Sequence, residues 1–73
     1  MAERETLIKI ESGGGVLVLL DGRGLRVRPG DLLRSSVWLP MSELEISEES
    51  GDPPYILKVR NLERSEEILA AWL

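Results

Sequence analysis

Apolar and polar positions alternate along most of this chain, in short runs broken by glycine, proline and acidic turns. From Thr6 to Ser12, Ile8 and Ile10 fall on one face and Lys9 and Glu11 on the other, the period of a half-buried strand. Gly13, Gly14 and Gly15 interrupt it. Val16 to Leu20 follows as an unbroken, partly β-branched apolar run, which predicts the central and most buried strand. Asp21 to Gly24 is a tight hairpin turn, because Asp-Gly accepts the positive φ angles that such a turn requires. Leu25 and Val27 then point inward and Arg26 and Arg28 outward. Pro29-Gly30-Asp31 is a second turn, with Pro fixing φ at its start. The run from Leu32 to Leu39 predicts a bent or bulged strand, ended by Pro40, which has no N–H for a ladder.

Beyond a turn at 41–43, Leu44 and Ile46 alternate with Glu43 and Glu45 in a short strand. Residues 47–54 form a polar loop, and Tyr55 to Arg60 is the last strand. The end predicts a helix over about 65–73. Ser65 is its N-cap, Glu66 and Glu67 sit in its first turn, and Ile68, Leu69, Trp72 and Leu73 make one apolar stripe. The pattern as a whole predicts a mainly β fold. It is a single domain over 1–73, a small barrel of five or six strands within 6–60 closed by a short C-terminal helix.

Composition narrows the chemistry. At 73 residues the chain buries only about 60% of its unfolded surface, and with no cysteine it has no disulfide or thiolate metal site to help. It has no histidine either, the commonest general base and metal ligand. These absences predict no catalytic residues, no metal and no cofactor. The opening residues lack the basic start and apolar core of a signal peptide, and no apolar run reaches membrane-spanning length, so the expected location is the cytoplasm with no membrane contact. Gln is absent, Asn61 is the single Asn, and Arg outnumbers Lys seven to two. That bias suits a hot-growing source and equally a G+C-rich coding sequence.

The stretch Trp38-Leu39-Pro40, the turn from Met41 to Glu43 and the strand from Leu44 to Ile46 together resemble the closing corner of Src-homology-3-like barrels. The resemblance implies a small barrel with a strand, a 3₁₀ turn and a strand at that corner. Peptide-binding members place a Tyr three residues beyond the Pro, where Glu43 stands here, and their acidic, Tyr-rich opening motif is missing. Fold is therefore implied, and proline-peptide recognition is not. The same corner with Ser42, together with Val16 to Leu20 and Ile68 to Leu73, is similar to a group of small phage and mobile-element proteins. That group offers an origin and no activity to carry over.

Charge supplies the remaining signal. Residues 21–40 hold four arginines (Arg23, Arg26, Arg28, Arg34) against Asp21 and Asp31, a net +2; residues 41–54 hold Glu43, Glu45, Glu48, Glu49 and Asp52, a net −5, within a chain of −4 overall. The basic strip reads either as a solvated strand face with cross-strand ion pairs or as a phosphate-tracking surface for nucleic acid. Three aromatics and an acidic total argue against the latter. Gly13–Gly15 feed a strand with no Lys nearby, so they are a hairpin and not a phosphate loop. Asp21 and Asp31 read as turn formers placed well apart. The expected function is a small non-enzymatic binding or regulatory protein acting on another protein, with a second copy of itself as one candidate partner. Nucleic-acid binding through Arg23 to Arg34 is the alternative. The partner-facing residues expected are Arg26, Arg28, Arg34, Glu45, Glu48, Glu49 and Trp72.

Overall fold

The structure, a computed structural model, describes residues 2–73, with 49–51 described by their backbone alone. Six strands are present: β1 (Glu3–Glu11), β2 (Val16–Leu19), β3 (Gly24–Val27), β4 (Glu43–Asp52), β5 (Tyr55–Asn61) and β6 (Glu66–Trp72). They close into one antiparallel barrel in the order β1-β2-β3-β6-β5-β4, with β4 pairing back onto β1. The two halves, β1 to β3 and β4 to β6, are each a meander. They are joined by a crossover through residues 28–42.

Alternation decides what fills the barrel. Leu7, Leu17, Leu19, Leu25, Val27, Leu44, Ile46, Leu57, Val59, Ile68 and Ala70 point inward and are buried. Leu25 and Val27 lie inside and Arg26 outside, as the sequence predicts. In β1, a bulge between Leu7 and Lys9 makes Leu7 the core residue and leaves Ile8 and Ile10 half-buried. β2 is not buried on both faces. The barrel is a single layer, so Leu17 and Leu19 are inside, Val16 and Val18 are half-buried outside, and Leu20 is exposed just past the strand.

Three expected elements differ. The C-terminal helix is strand β6, hydrogen-bonded between β3 and β5. Glu, Leu and Ala favour a helix locally, but without this strand the barrel could not close, and the tertiary ladder outweighs propensity. Ser65 is no N-cap: it takes a left-handed φ of +54° in a turn built on Asn61, whose buried side-chain oxygen accepts from the amides of Glu63 and Arg64. The expected strand over 32–39 is instead one helical turn, α1 (Leu32–Ser35), preceded by a 3₁₀ turn at Pro29–Asp31. Pro29 suits a first helical turn. Ser35 holds α1 down by donating to the carbonyl of Gly14 at 2.7 Å. No larger residue fits at Gly14, because a Cβ there would lie 2.8 Å from the Ser36 backbone. The loop expected over 47–54 is mostly strand, since β4 continues to Asp52 and turns tightly through Pro53 and Pro54.

Trp38 is buried among the core residues, as expected, with Leu44 in the same cluster. The corner around it, however, is a helical turn and loop leading into β4, not strand, 3₁₀ turn and strand. Leu39 beside it is exposed. The Trp38 ring belongs to the core, and its indole Nε1 donates to Glu66 Oε1 at 2.8 Å.

Candidate binding surface

The barrel places members of the two charge blocks on different walls. In a ring ordered β1-β2-β3-β6-β5-β4, strands β3 and β4 stand diametrically opposite. Arg26 on β3 and Glu45 and Glu48 on β4 thus occupy opposite walls. Glu45 lies between Arg4 on β1 and Arg60 on β5 in the ladder. Glu48 is exposed opposite Leu57, and the side chain of Glu49 lies outside the described residues. Of the seven residues expected to face a partner, the six whose side chains are described do not form one site. Among these, Arg28 and Arg34 meet.

They meet on Asp31, which is 2% exposed. Its Oδ1 accepts from Arg28 at 3.2 Å and from Arg34 at 3.0 Å, and its Oδ2 accepts the backbone N–H of Leu69 at 2.9 Å. The last contact continues the barrel wall. The Arg28 amide donates to the Leu69 carbonyl, as in a β3–β6 ladder, but the Arg28 carbonyl is taken by the Asp31 amide as the chain turns away. The Asp31 carboxylate supplies the missing acceptor for Leu69. The sequence marks this residue only as a turn former. The spacing Arg28, Asp31, Arg34, each three positions from the next, is the signal that could have found it.

The other two arginines of the basic strip, Arg23 and Arg26, also have partners. Arg23 binds Asp21 Oδ2 at 2.6 Å and reaches Glu3 and Glu5, and its guanidinium stacks 4.3 Å from the ring centre of Trp72. The hydrogen bonds it donates to Glu3 and then to Asp21 raise its pKa further. The Arg23 backbone N–H is the main cause holding the Asp21 carboxyl below its ordinary range. Arg26 lies 6.0 Å over Tyr55, and Arg28 also approaches Asp52 at 3.8 Å. A hydrogen bond from the Trp38 indole, then one from Arg64, lowers the pKa of Glu66.

Two surfaces are apolar where a solvated barrel would be polar. One is an open groove of about 640 Å³ on the outside of β2 and β3, lined by Val16, Val18, Gly24, Trp72 and Leu73 between Glu11 and Arg23. The other is the crossover. Leu33, Val37, Leu39 and Met41 are 89%, 52%, 67% and 67% exposed, while Asp31, Ser35, Trp38 and Ser42 between them are buried. Among the described residues no cluster of His, Cys, Asp or Glu is placed to hold a metal ion. No family model, no curated protein and no solved structure matches the chain.

Proposed function

We propose that this chain is a non-enzymatic binding protein of the regulatory or inhibitory kind, which occupies the surface of another protein with its crossover. The observation that carries the reading is the outward row Leu33, Val37, Leu39 and Met41. A monomer rarely leaves so many large apolar side chains exposed in one short segment unless they are covered elsewhere. The row is also held in place. Asp31, Ser35 and Trp38 are each fixed by hydrogen bonds, the amide of Met41 donates to Leu7 at 2.6 Å, and Met41 takes a left-handed φ of +72°. A non-glycine residue in that region costs free energy, and such strain concentrates at working surfaces. Preorganised side chains lose little entropy on binding.

The route is by side chains. Every strand in the ring has a neighbour on both sides, so strand addition at an open edge is not available along the paired residues. Nucleic acid is the weaker alternative, since Arg23, Arg28 and Arg34 already hold carboxylates. With β6 paired on both sides, Ile68 and Ala70 need no second subunit to cover them. A phage or mobile-element origin belongs to this proposal on the Trp38-Leu39-Pro40 corner and the terminal Trp72-Leu73.

The test compares two sets of substitutions. Changing Leu33, Val37, Leu39 and Met41 together to Ser should leave the melting temperature within a few degrees, as exposed positions do, while abolishing co-purification of the partner from the host. Arg26→Ala with Arg28→Ala should keep that partner. Salt-sensitive binding to short DNA or RNA, lost in the arginine pair and untouched in the serine variant, would reverse the ranking; its logarithmic slope would be about −0.7 per phosphate contact on single strands.

A further inference from the structure

We infer that the groove beneath Trp72 is a second recognition site, independent of the crossover, which takes a short peptide segment carrying a large aliphatic side chain beside Lys or Arg. The floor is apolar. Val16 and Val18 face outward from β2, where their ladder neighbours on either side are Glu11 and Lys9 of β1 and Arg26 and Gly24 of β3. Gly24 offers no side chain, and Leu73 lies in its place: a Cβ at Gly24 would meet Leu73 Cδ1 at 2.8 Å, and the Leu73 amide donates to the Gly24 carbonyl at 3.0 Å. Arg23 covers one part of Trp72, which is still 38% exposed. The volume of about 640 Å³ falls in the range of small-ligand clefts and admits one large side chain with its flanking backbone.

The rim selects the charge of the occupant. Three carboxylates, Glu3, Glu5 and Asp21, converge on the single guanidinium of Arg23, so that edge carries a surplus of negative charge. At the other end Lys9 pairs with Glu11 at 2.9 Å and Arg26 is the ladder neighbour of Val16, so the negative surplus is confined to the Arg23 edge. An anionic segment would be repelled by the surplus, and a cationic one is attracted and aligned. The apolar floor has no group to pair with a charge, so the aliphatic residue goes inward and the cations to the rim. β2 is paired on both sides, which excludes main-chain addition and makes the site one of modest affinity, read through side chains.

The experiment is an NMR titration of the intact, isotopically labelled protein with a blocked peptide, Lys-Leu-Lys-Leu-Lys. The amides of Val16, Val18 and Gly24 and the indole N–H of Trp72 should shift, and the dissociation constant should rise roughly fivefold from low to physiological salt, as a few exposed ion pairs require. Peptides with Glu for Lys, or Ser for Leu, should bind at least about tenfold more weakly, and so should the variants Trp72→Ala and Val18→Ser. If Trp72→Ala does not fold, Val18→Ser decides, because its side chain is on the outer face. Absent shifts at the groove, equal binding of either control peptide, or unchanged binding by a folded Val18→Ser variant would overturn the site. Shifts confined to Leu33, Val37, Leu39 and Met41 would overturn it too, while leaving the crossover reading intact.

Discussion

Asp31 does two jobs with one carboxylate, and its variants separate them. It balances Arg28 and Arg34, and it stands in for a strand carbonyl opposite Leu69. Removing the carboxylate in Asp31→Ala leaves the Leu69 N–H without its acceptor and two guanidiniums without their shared anion. The loss should be about 3–4 kcal/mol, most of the stability margin of so small a domain. Asp31→Asn keeps an oxygen for Leu69 and should lose about half as much. Urea unfolding measures both; equal losses would mean that the ladder contact contributes nothing. Glu66 gives a dependence on pH. Its carboxyl is held below its ordinary range in the folded state by the Trp38 indole and Arg64. The stability it contributes is therefore present above the ordinary glutamate range and is lost as pH falls through that range toward the folded value. Glu66→Gln keeps an acceptor for the indole and cannot titrate. Its unfolding midpoint should start lower than the wild type at neutral pH, and the two curves should converge in acid.

At the scale of elements, legibility followed the ladder. Alternation marked β1, β3 and the start of β4 and β5, because each of these strands has one face in the core and one in solvent. It could not mark β6. Ile68-Leu69-Ala70-Ala71-Trp72 satisfies a helical stripe and an inward pair, Ile68 and Ala70, equally well. What decides between them is the vacancy between β3 and β5, and no window of sequence contains that. The crossover failed for a related reason. Its order comes from Gly14, Leu69 and Glu66, residues distant along the chain that receive Ser35, Asp31 and Trp38. Of the candidate site, Trp72 was legible as an anchor, but its partners Val16, Val18 and Arg23 were assigned to a buried strand and a basic strip. Deleting residues 66–73 tests the strand. The shortened chain should lose cooperative unfolding and the dispersion of its amide spectrum altogether. A folded, merely less stable product would mean that this segment is an accessory and not a stave of the barrel.

For the whole molecule, the crossover does more than link two meanders. It carries the chain from β3 to β4, between opposite walls of the ring, so Arg26 on one wall and Glu45 on the other, close in sequence, stand on opposite sides of the barrel. At the β4–β5 tip the chain brings Asp52 back to Arg28. The crossover's inward residues hold it down, and its outward residues hold nothing down. Leu33, Val37, Leu39 and Met41 can therefore change identity while the barrel keeps its fold, which makes them natural positions for divergence between related chains. For a protein engineer, the same four positions form a ready library: a rigid, disulfide-free frame on which new specificities could be selected by randomising side chains alone.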